Sequence, residues 1–155
     1  MGMKLESSAF ANGSPIPEKH SKDGADASPA LSWSGAPEGT KSLALVCDDP
    51  DAPRGTWVHW VYFDIPASLT SLPEGVAKGE KPRSGGVQGK NDFGDVGWGG
   101  PQPPRGHGVH HYEFRLSALD TLLSLPPGSA KAQVEEAMHG HVLGQAKTMG
   151  TYRRD

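Results

Sequence analysis

Apolar positions along the chain fall into short blocks rather than long stripes. Met3 and Leu5 alternate with polar neighbours, which predicts a brief strand. The rest of the first forty residues is polar and broken by Gly13, Pro15, Pro17, Gly24, Pro29, Gly35 and Pro37, a pattern of β ribbon and loops. Residues 42–47 (SLALVC) form a continuous apolar run that stops at DDPDAP, as expected of a strand buried on both faces. Residues 57–65 (WVHWVYFDI) are rich in aromatic and β-branched side chains and end at Pro66, so they predict a second core strand. Residues 67–106 are glycine-rich and lack periodicity, which predicts a long functional loop. Beyond it His110, Tyr112, Phe114 and Leu116 alternate with His111, Glu113 and Arg115, sending His110 and Tyr112 together to the apolar side. One helix is predicted after Pro126–Pro127–Gly128, capped by Ser129, with Ala130, Val134, Ala137 and Met138 as its stripe and Gly140 as its stop. Residues 145–153 alternate weakly and predict a last strand.

Composition narrows this to one mainly β domain over residues 1–155. The 21 glycines and 14 prolines are close to twice ordinary usage, yet 35% hydrophobic residues suffice for a core, so disorder and helical bundles are both disfavoured. A formal charge of -3 gives no general attraction to nucleic acid or anionic membranes. Any anion must therefore be held by a local site. The absence of a leader pattern or a long apolar run predicts a soluble, cytoplasmic protein with no integral membrane segment. Cys47 stands alone, which excludes an intrachain disulfide, and its place in an apolar run predicts an inert thiol.

Three clusters carry candidate chemistry. Asp48, Asp49, Pro50, Asp51, Ala52 and Pro53 place three carboxylates at the end of a buried strand, where an acidic turn is the plain alternative. His59 lies within the second core strand and shares a face, by the period of two, with Trp57 and Val61. The segment GWGGPQPPRGHGVHHY (97–112) combines glycines, prolines and three histidines. A metal site is disfavoured because adjacent His110 and His111 point to opposite faces of a strand. Glycine amides on a proline-stiffened loop suit an oxyanion better. No motif calls for a cofactor, and the absence of G-x-S-x-G, H-E-x-x-H and P-loop patterns makes a hydrolase of small phosphate or carboxyl esters the second reading.

Taken together, DPDAP (49–53), WVHW (57–60), GKNDFGDVGWGGPQPPRG (89–106), GVHHY (108–112), LPPG (125–128) and AMHGHVLGQA (137–146) resemble the phosphatidylethanolamine-binding protein family, in its bacterial Raf-kinase-inhibitor-like branch. The resemblance runs from about residue 28 to residue 153. It implies an antiparallel β-sandwich-like fold, with a large central sheet, a smaller sheet and one or two short helices. It implies a non-enzymatic pocket for phosphate-like anionic head groups, formed by Asp49, Pro50, Asp51, Trp57, His59, Gly100, His110 and Tyr112. A homodimer and a protein target such as a kinase or other enzyme are implied with it. The family commonly has Arg where this chain has His111, and some eukaryotic members carry an extra C-terminal helix that this chain lacks.

A carboxylate inside an anion pocket is repulsive unless it serves another group. Asp49 or Asp51 bound to an imidazole would hold that ring cationic and orient its other nitrogen towards the ligand. Two histidines, glycine amides and the Tyr112 hydroxyl would then supply donors. On this reading, calorimetry is expected to show tighter phosphate-group binding at pH 6 than at pH 8.

Overall fold

The computed structural model describes residues 2–155. They form strands β1 (Lys4–Glu6), β2 (Ser14–Pro15), β3 (Leu31–Ser34), β4 (Ser42–Asp49), β5 (Trp57–Pro66), β6 (Ser71–Leu72), β7 (Val87–Gln88), β8 (His110–Leu119) and β9 (Val142–Tyr152). A 3₁₀ turn spans Glu18–His20, and helix α1 spans Lys131–Met138. The strands make a six-stranded sheet in the order β2-β9-β8-β4-β5-β7 and a three-stranded sheet in the order β1-β3-β6. The fold is mainly β and sandwich-like. The main core lies between the sheets, where Leu43, Leu45 and Cys47 of β4 and Phe114 and Leu116 of β8 meet Leu5 and Trp33.

All eight residues of β4 are buried, because its second face is also covered: Ala44 joins Val58, Val61 and Phe63 under Val134 of α1. This accounts for the unbroken apolar run. The helix is shorter and differently capped than the sequence suggests. The Ser129 hydroxyl donates to the Pro126 carbonyl (2.7 Å), and the backbone N–H of Ala130, the N-cap, donates to Gln133 Oε1 (2.8 Å). Ala130 is exposed, so the apolar stripe reduces to Val134 with Met138 beside it.

The last strand is longer than its weak alternation implies, running beside β8 from Leu119↔Val142 to His110↔Tyr152. Its core-facing positions are Gly144, Ala146, Thr148 and Gly150, small residues that leave little hydrophobic signal. Gly150 must be small because a Cβ there would run into Ile16 and Phe10.

Strand β5 departs from simple alternation at two places. Between Leu43↔Ile65 and Leu45↔Tyr62 it carries one extra residue, beside Asp64, whose φ of 52° is left-handed. Between Cys47↔Trp60 and Asp48↔Val58 the extra residue is His59. Each bulge reverses the facing of the residues beyond it. Val58 consequently joins Val61 on the helix side, while His59 and Trp57 turn the other way. The expected sharing of one face by Trp57, His59 and Val61 therefore holds for Trp57 and fails for Val61.

The long loop contains β6, β7 and an isolated Lys90↔Val96 bridge, and it is pinned by one buried side chain. Gln88 accepts from Trp60 Nε1 (2.8 Å) and donates to the carbonyls of Ala77 (2.9 Å) and Gly79 (2.8 Å). Replacing it with leucine strands an indole N–H and two carbonyls. Gln88→Leu is expected to lower the unfolding free energy by about 2–4 kcal/mol in urea titration.

Candidate functional site

A cleft of about 240 Å³ opens where β4, β5 and β8 reach the same end of the large sheet. Asp49, Trp57, His59, His110 and Tyr112 line it, with Ala52, Pro53, Phe93, Gln102, Pro103 and Pro104. The structure thus brings together five of the eight residues singled out in the sequence. Pro50 and Asp51 lie in a neighbouring groove with His111, Glu113 and Lys147. Gly100 is buried outside the lining, and its amide donates to Asp26 Oδ1 (2.7 Å). A larger groove of about 700 Å³ runs between residues 3–12 and β9, but no buried titratable group lines it.

The acidic cluster divides its work. Asp48 points to the helix side and pairs with Lys131 Nζ (2.7 Å). Asp49 points into the cleft, where its Oδ2 accepts from His110 Nδ1 (2.6 Å). Asp51 Oδ2 accepts from both the backbone N–H (2.9 Å) and Nδ1 (2.7 Å) of His111. His111 therefore makes two hydrogen bonds to this carboxylate, at the position where the resemblance implies Arg. Burial acts to raise the Asp51 pKa, but the His111 hydrogen bonds prevail and hold it below the usual carboxylate range.

The two cleft histidines differ in their partners. Asp49 fixes the proton of His110 on Nδ1, and His110 Nε2 meets His107 Nδ1 at 2.6 Å. His107, exposed on the loop after Pro104, thus occupies the nitrogen that was expected to face a ligand. His59 is only 2% exposed, and its Nδ1 lies 2.6 Å from the Gly99 carbonyl oxygen. A carbonyl only accepts, so Nδ1 carries the hydrogen and the neutral ring offers a lone pair at Nε2. Burial lowers the His59 pKa, outweighing the carbonyls of Gly99 and Gly100 and the charge of Asp49. The imidazoles that the two carboxylates bind are those of His110 and His111, not that of His59.

Tyr112 is fully buried against the His59 ring, 5.0 Å between centroids at 78°, and its hydroxyl has no partner within the protein. Burial first, then the nearby Asp49 charge, push its pKa far above that of an ordinary tyrosine, so it remains a donor. The amides of the three glycines in 97–100 are already engaged: Gly97 with the Gly89 carbonyl (3.3 Å), Gly99 with that of His59 (2.9 Å), Gly100 with Asp26. They are fasteners of the wall rather than free donors. A Cβ on Gly100 would collide with the His20 carbonyl, which explains why glycine is needed there.

Sequence reasoning missed Phe93, Gln102 and the contribution of Asp26. Phe93 faces Trp57 edge-on at 5.4 Å, positioned by Asn91, whose Oδ1 accepts from the Phe93 backbone N–H (2.9 Å). An N-D-F-G segment is a recognisable turn signal, but nothing local shows that its aromatic ring reaches the cleft. Among the described residues no group of three or more His, Cys, Asp or Glu is arranged to hold a metal ion. Cys47 is buried within the core, and desolvation raises its pKa well above the ordinary thiol value.

A two-sheet β fold with a small histidine-lined cleft at the strand ends defines the class. Comparison with known proteins gives the family: a model described as phosphatidylethanolamine-binding protein matches residues 6–153. The chain belongs to the phosphatidylethanolamine-binding protein family. It is 53% identical over 152 residues to a UPF0098 protein of Methanothermobacter thermautotrophicus, covering 98% of this chain and 99% of that one. Escherichia coli YbcL superposes with a TM-score of 0.91 at 35% identity, covering 100% of both chains. A putative phosphatidylethanolamine-binding protein homologue from Chlamydia trachomatis gives 0.90 at 40% identity, over 99% of each chain. No helix among the described residues is long and apolar enough to cross a membrane.

The wall behind the cleft depends on Asp26, which accepts from Gly100 and pairs with Lys22 (2.9 Å) and Lys78 (2.7 Å). Burial raises its pKa, but the two lysines and the Gly100 amide outweigh burial and leave it below the usual carboxylate range. A depressed carboxylate stabilises the fold above its ordinary pKa, and that stability is lost as pH falls through the folded value. The melting temperature is expected to drop from about pH 5 to about pH 3, and Asp26→Asn to make that drop shallower; an unchanged slope contradicts the assignment.

Proposed function

We propose that this protein is a non-enzymatic binding protein whose cleft takes a small phosphate-like anionic head group. The observation that carries this reading is the Tyr112 hydroxyl, buried on the cleft wall without a partner. An unsatisfied buried hydroxyl costs about 1–3 kcal/mol, so its retention is understandable where a ligand supplies the acceptor. Trp57 and Gln102 add an indole N–H and an amide at the same cleft. The volume, about 240 Å³, is below that of drug-sized pockets and suits a head group rather than a whole lipid. The family resemblance extends the reading to a cytoplasmic homodimer that modulates a kinase or other enzyme.

Asp49 and His110 also have the arrangement of an orienting carboxylate and a base, which favours hydrolysis of a small ester as the second reading. Against it, the lining contains no serine, threonine or cysteine, and His110 Nε2 faces His107 rather than a hydroxyl. A nucleophile would have to come from solvent.

Tyr112→Phe separates ligand binding from structure. Thermal unfolding is expected at the same or a higher temperature, because an unpaired buried hydroxyl is removed, while calorimetric affinity for phosphoethanolamine falls by about fivefold to twentyfold. Unchanged affinity would remove the hydroxyl from the site. Turnover of p-nitrophenyl phosphate that disappears in His59→Ala and His110→Ala would replace binding with hydrolysis.

A further inference from the structure

An anion site normally presents hydrogen-bond donors, yet this cleft presents a deep imidazole acceptor and a buried carboxylate whose oxygens are engaged by His110 and the Asp51 backbone N–H. His59 lines it with Nδ1 committed to the Gly99 carbonyl at 2.6 Å, so Nε2 is the nitrogen left for a ligand, and in the neutral ring it carries a lone pair. The Asp49 carboxylate, 3% exposed, stands on the adjacent strand in the same lining. No lysine or arginine lines the cleft.

We propose that the cleft selects its anion in a protonated form: a singly ionised phosphate monoester whose remaining acidic O–H donates to His59 Nε2. This rests on the anion-binding reading above and adds the ligand's protonation state to it. A fully ionised oxyanion brings only acceptors, so an oxygen facing the Nε2 lone pair and Asp49 would meet unpaired repulsion. The O–H of a singly ionised monoester converts the His59 contact into a hydrogen bond and removes one of two negative charges from beside Asp49. Its remaining oxygens accept from Tyr112, Trp57 and Gln102. His59 thus acts as a specificity-determining residue that tests for a proton.

The groups around His59 agree with this arrangement. Asp49 on β4 favours a protonated ring, Lys22 from the segment after the 3₁₀ turn disfavours it, and His110 and Tyr112 approach from β8. Burial outweighs these charges, lowers the His59 pKa and so favours the neutral, accepting ring. The Lys22 ammonium sits 4.4 Å from the Phe93 ring centroid, so it lies behind the aromatic wall rather than in the cleft.

The test compares anions of similar shape and different proton content on the purified wild-type protein by calorimetry. A phosphate monoester such as phosphoethanolamine loses its second proton near pH 6, whereas sulfate carries two charges and no proton throughout. Phosphoethanolamine affinity is expected to fall at least about tenfold between pH 5 and pH 8, with sulfate weaker than the monoester at pH 5 by a similar factor. Replacing the monoester with 2-aminoethylphosphonate, whose second ionisation lies higher, is expected to move the midpoint up with the ligand. A midpoint that stays fixed assigns the titration to the protein and overturns the proposal. His59→Gln places an amide N–H where Nε2 accepts, and is expected to raise sulfate affinity and flatten the pH profile. Should that variant fail to fold, the wild-type ligand series decides alone. Sulfate bound as tightly as the monoester at both pH values overturns the protonation requirement and leaves the anion-binding reading standing. If no anion binds at either pH, both readings fall.

Discussion

The site depends on one extra residue in β5. With strict alternation, His59 would share the helix side with Val61 and Phe63, and Val58 would face the opposite sheet. The bulge reverses both at once, sending Val58 under α1 and His59 to the end of the sheet beside Tyr112. A bulge leaves backbone groups outside the regular ladder, and here the long loop satisfies them. The His59 carbonyl accepts from Gly99, and Val58 exchanges bonds with Asp92, donating to Oδ2 at 2.7 Å and accepting from its backbone N–H at 2.9 Å. The same Gly99 accepts from His59 Nδ1. Strand irregularity, loop position and imidazole tautomer are consequently a single constraint.

That constraint explains why the wall is rigid. The residues 97–101 pass between β5 and the segment 20–26, fixed by Trp98 Nε1 to the His20 carbonyl (3.0 Å), by Gly100 to Asp26, and by the backbone N–H of Lys22 to the Pro101 carbonyl (3.0 Å). Trp98 stacks on Phe114 at 16°, joining the wall to the main core. Asp26 adopts a left-handed φ of 56°, strain that its two lysines and the glycine amide offset. The arrangement favours preorganisation, because the loop is ordered by its own hydrogen bonds.

Much of this was legible in the sequence where period and composition agree. The inward parity of His110 and Tyr112 follows from β8, a regular strand, and the double burial of β4 follows from its apolar run. The bulge is different, because nothing in WVHW distinguishes an extra residue from a paired one. Its cause is a loop about forty residues distant, which local pattern does not contain. The motifs pointed to Gly100 as a pocket residue, yet its requirement here is the close approach of the His20 backbone. Strand β9 was weakly legible for the opposite reason, since the core beside Ile16 and Phe10 has room only for small residues. Ser129 has the composition of a helix cap, but Pro126 presents a nearer acceptor and Gln133 provides the cap instead.

The donor inventory decides what kind of charge the cleft tolerates. Pro53, Pro103 and Pro104 close much of its lining without contributing a single N–H, and the glycine amides nearby are already bonded inside the wall. The polar side chains that line it are Tyr112, Trp57, Gln102, His59, His110 and Asp49, whose two oxygens are engaged by His110 Nδ1 and the Asp51 backbone N–H. Such a set resembles the interior of a site for a weakly charged, partly protonated group more than a cationic cradle for a dianion. The negative net charge of the chain points the same way, since no broad positive field draws anions towards the mouth. On the proposed reading, affinity for an anion comes from complementarity at short range, where matching a ligand proton to a lone pair matters more than total charge. The excess of glycine and proline acquires a physical meaning in this light: it builds a tight wall whose own hydrogen bonds are complete, so that the few unpaired groups left at the cleft are the ones that discriminate.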